Sequence, residues 1–233
     1  TMAQAINLAL HDAMEADKTV LVLGEDVGDA EGGGVVGISG GLSQKFGTDR
    51  VKSTPITEQA IMGAAIGAAM IGFKPVAEIT LMNFTTVASD MIVNHAAKLR
   101  FMSGGQTSVP IVVRTMTGAG MANGGQHSDY LEAWFAHTAG LKVVLPSNPA
   151  DAYGLMLSAI DDPDPVIFVE VLPALFSPAE GPERGKKVPI GKANVVRQGR
   201  DVSVIAYGRL VGALAGMADK LKDEGIEVEV IDL

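Results

Sequence analysis

The sequence contains no cysteine, which excludes disulfide bonds and any catalysis by a thiolate. This absence is compatible with a reducing compartment. Clustered positive charge is also missing, since the formal net charge is -9 and no basic run is longer than the pair Lys186 and Lys187. A nucleic-acid-binding surface needs clustered lysine and arginine, so the charge balance argues against a nucleic-acid partner.

Targeting and membrane signals are missing as well. The first 17 residues combine acidic side chains with helical periodicity, so we predict no signal peptide. The most apolar helical stretch has about fourteen residues, whereas a helix that spans a bilayer needs roughly twenty. We therefore expect no membrane partner and a cytoplasmic location, with an organelle matrix as the alternative.

Residues 54–72, TPITEQAIMGAAIGAAMIG, form the most informative stretch that is present, because Glu58 is its only charged residue. The pattern predicts a helix with Thr57 at its N-cap, buried on all sides. Gly63 and Gly67 each cost about 1 kcal/mol relative to alanine inside a helix, so their spacing indicates that another backbone packs closely.

Two interpretations of Glu58 remain open at this point. A carboxylate in the first turn of a helix is stabilised by about 0.3 to 1 kcal/mol through the helix dipole, which alone could explain the residue. Alternatively, a charge on an apolar helix end is retained to bind a nitrogen atom of a ligand.

Predicted strands alternate with predicted helices along the chain. The apolar runs at 19–26, 74–80, 109–116, 141–146 and 164–171 predict buried strands, and helices are expected at 2–17, 84–102 and 148–160. This order predicts an α/β fold with a mostly parallel sheet and helices on both faces. Such a sheet binds its ligand at the carboxyl ends of its strands, where the sequence places Glu25, Glu58, Phe84 and His127.

Two other segments have less specific patterns. The glycine-rich run 28–41 fits neither a dinucleotide-binding nor a P-loop pattern and has no lysine, so we predict a mobile loop. Within the helix predicted over 84–102, His95 is expected to be a hydrogen-bonded helix residue. The spacing predicts a buried face formed by Val87, Met91, His95, Ala96 and Leu99.

Residues 172–191 are rich in proline, glycine and charge, which is typical of a connection between domains. We therefore expect one domain over 1–185, followed by a linker and a β-α-β unit over 186–233. Two strands and one helix would make a poor domain by themselves, so the second domain is expected to be truncated.

Several long segments, in one order, resemble a known family. They are GEDVG (24–28), RVKSTPITEQAIMGAAIGAAMIGFKPVAEI (50–79), NHAAKLRFMSGGQ (94–106), VPIVVR (109–114), GGQHSDYLEAWFAHTAGLKVVLPSNPADA (124–152) and DPDPVIFVE (162–170). The chain resembles the beta chain of the E1 component of thiamine-diphosphate-dependent 2-oxo acid dehydrogenases, which has a transketolase-like pyrimidine-binding domain. That domain would be followed by the start of a second α/β domain.

The resemblance implies roles for the residues at the predicted site. Glu58 would bond the N1′ nitrogen of the cofactor's aminopyrimidine and favour the tautomer that acts as a base. Phe84 would pack against the pyrimidine, and His127 would contact the substrate-derived group. Glu25 could belong to an acidic passage between paired cofactor sites.

The resemblance also implies metal sites. Enzymes of this class hold Mg²⁺ and the diphosphate with a GDG motif and a later asparagine, and this sequence has no GDG. The Mg²⁺ ligands are therefore expected on a partner alpha chain. A structural K⁺ site, made mainly of backbone oxygens, is expected at Ile111, Ala159, Ile160, Asp162 and Asp164.

The implied activity is decarboxylation of a small 2-oxo acid and transfer of the acyl group to the lipoyl domain of an E2 acyltransferase, within an α2β2 heterotetramer. An acetoin-cleaving E1 and a transketolase-like or acyloin-forming carboligase are the enzymatic alternatives. A scaffold subunit that kept the fold and lost the chemistry is the non-enzymatic one.

Overall fold

The computed structural model describes residues 1–233. Its strands are β1 (Val20–Glu25), β2 (Val51–Thr54), β3 (Lys74–Leu81), β4 (Val112–Thr117), β5 (Lys142–Val144), β6 (Val166–Val171), β7 (Asn194–Arg197), β8 (Val202–Ala206) and β9 (Val228–Asp232). Its α-helices are α1 (Met2–Ala16), α2 (Leu42–Phe46), α3 (Glu58–Met70), α4 (Ala97–Met102), α5 (Glu132–Ala136), α6 (Pro149–Asp161), α7 (Leu172–Leu175) and α8 (Arg209–Lys222).

The first six strands form one sheet in the order β2-β1-β3-β4-β6-β5, and every pairing is parallel. Helices α1 and α6 cover one face, and α3 with the segment 91–102 covers the other. The predicted α/β class is therefore confirmed. Strand β2 is not among the predicted strands, because four residues carry too little pattern to define a strand.

The central strands are buried on both faces, which explains their nearly continuous apolar sequence. Val76 and Val112 pack on the face covered by α1 and α6, whereas Ala77 and Val113 pack on the face covered by α3. Each large apolar side chain that is fully buried contributes roughly 1.5 to 3 kcal/mol, so this sheet is a rigid base for the residues that follow its strands.

Helix α1 begins with a capping box, in which Thr1 Oγ1 accepts a hydrogen bond from the Gln4 backbone N–H. The apolar face that the sequence predicts is buried, as Ile6, Leu10 and Met14 show. Burial of this face against α6 and the sheet fixes the start of the chain to the core.

Helix α3 begins at Glu58, and Thr57 occupies the N-cap position without forming a side-chain capping hydrogen bond. Within this chain alone, the prediction that α3 is buried on all sides does not hold. Ile61, Met62 and Ala65 are buried against the sheet, but nothing in this chain covers the opposite face. The exposed residues of that face are Gln59, Ala60, Ala64, Gly67 and Met70.

The single helix predicted over 84–102 is interrupted. A 3₁₀ turn (Met82–Thr86) is followed by a π-helical segment (Met91–Ala96) and then by α4. Val87 and His95 are exposed, and His95 Nε2 lies 3.5 Å from Asp90 Oδ2. Changes between 3₁₀, π and α geometry alter the number of residues per turn, so the spacing expected for one α-helix does not hold here.

The glycine-rich segment 28–41 contains a short 3₁₀ turn (Asp29–Glu31) and forms a compact loop. The Asp29 carboxylate accepts hydrogen bonds from the backbone N–H groups of Gly41 and Gln44. Ile38 and Ser39 are fully buried, so part of the loop belongs to the core.

Beyond the first sheet, β7, β8, β9 and α8 form a small three-stranded sheet in the order β7-β9-β8. The predicted β-α-β unit is present, and β7 adds an antiparallel strand that the sequence did not predict. The connecting segment is tied to α6 where the Tyr153 hydroxyl accepts from the Gly185 N–H at 2.7 Å. None of the helices has the length and apolar character required to cross a membrane.

Candidate active site

Four residues singled out in the sequence lie at the end of a strand or after it, each at a different strand of the sheet. Glu25 is the last residue of β1, and Glu58 begins α3 shortly after β2. Phe84 lies in the 3₁₀ turn after β3, and His127 lies in a 3₁₀ turn (Gly125–His127) in the loop after β4. Because all these strands are parallel, their carboxyl ends meet at one edge of the sheet.

These four side chains line one cavity of about 280 Å³. The parallel register places Glu25 opposite Thr54, and Thr54 lies only a few residues before Glu58. The carboxylates of Glu25 and Glu58 are thereby brought to the same cavity. Apolar groups form much of the remaining wall, as expected for a small-molecule site with a few polar groups. The other lining residues are Val35, Val36, Ile61, Glu78, Ile79, Thr80, Leu81, Met116, Asn123 and Leu172.

Negative charge is concentrated in this cavity. Burial and the nearby charges of Asp26, Glu58 and Glu78 raise the pKa of Glu25 above its usual value. None of the salt bridges in the chain involves Glu25 or Glu58. Unpaired carboxylates in an apolar cavity favour a ligand that brings a hydrogen-bond donor or positive charge.

The loop that carries His127 is held by specific contacts. The Gly118 N–H donates to the His127 carbonyl at 2.9 Å, and a side chain at Gly118 would meet that carbonyl at 2.5 Å. The Asn83 side chain, next to Phe84, donates to Asp129 Oδ2 at 2.6 Å. The loop after β4 is thereby tied to the turn after β3, and the two aromatic side chains meet.

Phe84 and His127 form an edge-to-face pair with ring centroids 5.6 Å apart and an interplanar angle of 80°. Such a pair contributes about 0.5 to 1.5 kcal/mol beyond its buried area and restricts both rings. The imidazole is therefore presented to the cavity in a defined orientation.

Several lining residues were not predicted, and Glu78 is the most informative of them. It lies in the middle of the apolar strand KPVAEITL, and its side chain is 1% exposed. A charge in the interior of a buried strand is the sequence signal that could have identified it. The same signal occurs at Arg114 in β4 and at Glu170 in β6, both of which are fully buried.

The residues predicted for a K⁺ site lie at the opposite edge of the sheet, around the turn after α6. The Ile111 carbonyl accepts from the Val166 N–H at 3.0 Å. Lys142 Nζ lies 2.6 Å from Asp162 Oδ1 and 3.5 Å from Asp164 Oδ2. Arg100 Nη1 also lies 2.7 Å from Asp164 Oδ1, so both carboxylates of the turn are already neutralised by side chains.

No cluster of three or more histidine, aspartate or glutamate side chains in the chain has the geometry to hold a metal ion. Divalent Mg²⁺ prefers several hard oxygen ligands, usually carboxylates together with phosphates. The carboxylates in the cavity are not arranged as such a set.

Comparison with known proteins gives the same fold and order of elements. Residues 1–175 match the family described as the transketolase pyrimidine-binding domain, and residues 191–233 match the transketolase C-terminal domain. A split-gene transketolase structure superposes with a TM-score of 0.80 at 21% identity, covering 99% of this chain and 70% of that chain. A transketolase variant from Pichia stipitis gives 0.75 at 18% identity, covering 100% of this chain and 34% of that one.

Much higher sequence identity is found with two subunits of other enzymes. Acetoin:2,6-dichlorophenolindophenol oxidoreductase subunit beta from Cupriavidus necator is 45% identical, and the match covers 98% of this chain and 70% of that protein. Pyruvate dehydrogenase E1 component subunit beta-2, mitochondrial, from Oryza sativa subsp. japonica is 46% identical, with 100% and 62% covered. The chain thus spans about two thirds of these relatives.

The fold and the cavity define a transketolase-like pyrimidine-binding domain, the class of domain found in thiamine-diphosphate enzymes. The chain belongs to the family of E1 beta subunits within that class. Thiamine diphosphate is the cofactor that this family implies.

Proposed function

We propose that this chain is the beta subunit of a thiamine-diphosphate-dependent E1 enzyme that decarboxylates a 2-oxo acid and transfers the acyl group to a lipoyl domain. The observation that carries the proposal is the cavity in which Glu25, Glu58, Phe84 and His127 converge. The E1 beta names of the relatives support the same reaction. Acetoin cleavage is the second candidate, because two relatives are subunits of acetoin oxidoreductases.

The residues of the cavity fit the pyrimidine end of thiamine diphosphate. Bound there, this cofactor supplies the carbanion chemistry that amino-acid side chains lack. Glu58 lies at the start of α3 and has no salt-bridge partner within the chain. Its carboxylate would accept a hydrogen bond from the protonated ring nitrogen N1′ and would thereby stabilise the proton on that nitrogen. Phe84 would pack on the flat ring and exclude water from it.

His127 would serve the substrate side of the site. Its imidazole is oriented by the edge-to-face contact with Phe84, and glycines directly precede the residue in its loop. A histidine in such a position can donate a proton or a hydrogen bond to an oxygen of the substrate-derived group. Glu25, whose pKa is raised by burial and neighbouring carboxylates, would take up or release protons near the pyrimidine.

The partner is an E1 alpha chain, in an arrangement that we propose to be an α2β2 heterotetramer. The cavity supplies carboxylates and apolar walls but no cluster suited to Mg²⁺. The alpha chain would provide the Mg²⁺ ligands and the contacts to the diphosphate. The lipoyl domain of an E2 acyltransferase would accept the acyl group from the assembled enzyme.

A K⁺ ion held by the carbonyl oxygens of Ile111, Ala159 and Ile160, together with residues Asp162 and Asp164, remains part of the proposal. Neutralised carboxylates do not favour a divalent ion, whereas backbone carbonyl oxygens can replace the hydration shell of K⁺. The ion would tie the turn after α6 to the start of β4.

Two further aspects of the organisation are proposals. We place the boundary of the pyrimidine-binding domain at residue 185, where the Gly185 N–H contact to Tyr153 marks the last anchor before the second sheet. We propose a cytoplasmic location. The mitochondrial name of the rice relative keeps an organelle matrix as the alternative.

The proposal is tested by co-expressing the chain with a candidate alpha chain and supplying thiamine diphosphate and Mg²⁺. Pyruvate, branched-chain 2-oxo acids and acetoin are compared as substrates with lipoamide or a dichlorophenolindophenol dye as acceptor. We expect acceptor-dependent turnover with at least one of them. Turnover of ketose phosphates without either acceptor would instead identify a carboligase or transketolase.

Glu58→Gln and Asp232→Asn provide the matched pair for this assay. Both convert one carboxylate to an amide, but Asp232 lies in β9 of the second sheet, outside the cavity. We expect only Glu58→Gln to remove most of the turnover. Equal activity of both variants and the unaltered chain would overturn the assignment of the cavity as the active site.

A further inference from the structure

A buried ion triad lies beneath the cavity, and two of its three members, Arg114 and Glu170, do not line the cavity. Arg114 Nη1 lies 2.7 Å from Glu78 Oε2, and Arg114 Nε donates to Glu170 Oε1. The three residues come from neighbouring strands β3, β4 and β6, and each side chain is at most 2% exposed. One cation therefore compensates two carboxylates in the interior of the protein.

The triad is only partly satisfied. Glu78 Oε1 and Glu170 Oε2 are buried and have no hydrogen-bond partner. Replacing a buried ion pair by apolar residues is often neutral or stabilising, so an incomplete triad with excess negative charge is poorly explained by stability. A role in the neighbouring site explains it better.

The triad reaches the cavity through Glu78. The register of the sheet places Glu78 opposite Gly24, one residue before Glu25, and Glu78 itself lines the cavity. The backbone packs tightly around its side chain, since a Cβ on Gly34 would lie 3.2 Å and 3.4 Å from its two carboxylate oxygens. The charge of Glu78 contributes to the raised pKa of Glu25.

We propose that Arg114 and Glu170 are positioning residues of the active site, because they hold Glu78 at the cavity and set the negative charge that acts on Glu25 and Glu58. When Glu170 is neutral, the charge of Arg114 is matched by Glu78 alone. When Glu170 is ionised, the triad carries one net negative charge directly below the cavity. The protonation of Glu170 in the interior is thereby coupled to the protonation of the carboxylates in the cavity. This inference rests on the proposed function only for its effect on turnover.

Few charged groups act on Glu170 and Glu25. Glu170 faces Arg114 and Glu78, and Glu25 faces Asp26, Glu58 and Glu78. Burial raises the pKa of Glu170 to about 7, against the opposing effect of Arg114. Its charge therefore changes in the neutral range, where the effect on Glu25 can be measured.

The experiment is a carboxyl-carbon NMR titration of the 233-residue chain labelled at its glutamate side chains, with Glu25→Gln used to assign the Glu25 signal. In the unaltered chain we expect the Glu25 signal to show a second inflection near the pH at which Glu170 titrates. In Glu170→Gln we expect that inflection to vanish. Asp232→Asn, which removes another buried carboxylate with a raised pKa, is the control and should leave the inflection in place.

A single Glu25 inflection in the unaltered chain would overturn the proposal without any variant. Persistence of that inflection in a folded Glu170→Gln chain, or its loss in Asp232→Asn, would also overturn it. In the assembled enzyme, Glu170→Gln should remove from the kcat/KM profile the ionisation near pH 7 that Glu170 contributes. Absence of 2-oxo acid or acetoin turnover in the unaltered enzyme would reject the proposed function, while the titration would still decide the coupling.

Discussion

The edge of the Phe84 ring meets the His127 imidazole, with the ring centroids 5.6 Å apart. The two residues belong to loops after neighbouring strands β3 and β4, and the Asn83–Asp129 hydrogen bond ties these loops together. A histidine held in this way is oriented without being buried. This arrangement suits a group that must meet a substrate and release it.

Substitution Glu58→Gln is expected to leave the fold intact and to remove most activity. The amide has the same size and helix position but cannot hold a protonated N1′ by charge. Loss of acid–base assistance of this kind lowers rates by about 10²- to 10⁴-fold. Steady-state turnover of the assembled enzyme and exchange of the C2 proton of the bound cofactor measure the effect, and unchanged exchange would contradict the assignment.

Substitution His127→Ala is expected to impair substrate and acyl-transfer steps more than cofactor binding. The imidazole lies on the loop after β4, and its loss leaves Glu58 and most of the apolar wall in place. Calorimetric titration of the cofactor should change little while kcat falls. A large loss of cofactor affinity with normal turnover at saturation would assign His127 to the cofactor instead.

The exposed face of α3 predicts an obligate oligomer. A Cβ on Gly67 would meet nothing within 4 Å in this chain, and the same is true of Gly216 on α8. Both Gly67→Leu and Gly216→Leu should therefore be tolerated by the fold, and each should favour its helix by roughly 0.5 to 1 kcal/mol. If α3 packs against another chain over an interface of about 2,000 Å² or more, only Gly67→Leu will weaken assembly.

Sedimentation of the two glycine variants with and without the alpha chain provides the measurement. Calorimetry then measures the binding of thiamine diphosphate with Mg²⁺ to the chain alone and to the assembly. Tight binding is expected only in the assembly, because the diphosphate contacts are expected on the partner. A monomer that binds the cofactor at micromolar levels without any partner would show that the two-chain site is wrong.

Stability should carry a pH signature from Glu170. Burial raises its folded pKa to about 7, above the value of 4.5 for the exposed group. The neutral form is favoured in the fold, so the contribution of this group is fully present below about pH 4.5 and is lost as the pH rises through about 7. Urea unfolding from pH 5 to 8 should show Glu170→Gln gaining stability relative to the unaltered chain as the pH rises, and a constant difference would contradict the raised pKa.

Sequence patterns predicted the sheet because its strands are short, apolar and buried on both faces. They also placed Glu25, Glu58, Phe84 and His127 after strands, and parallel geometry then required these residues to share one edge. The interruption of the helix over 84–102 was not predictable in the same way. Its π-helical segment changes the spacing on which every periodicity argument depends.

The sequence by itself determined the α/β class, the start of α3 at Glu58 and the resemblance to E1 beta chains, because these follow from local pattern and long collinear motifs. Only the tertiary structure decided the contact of Phe84 with His127, the exposed face of α3 and the triad of Glu78, Arg114 and Glu170. These features depend on which strands are neighbours and on what covers each helix. Both are set by packing between residues far apart in the chain, which no local pattern records.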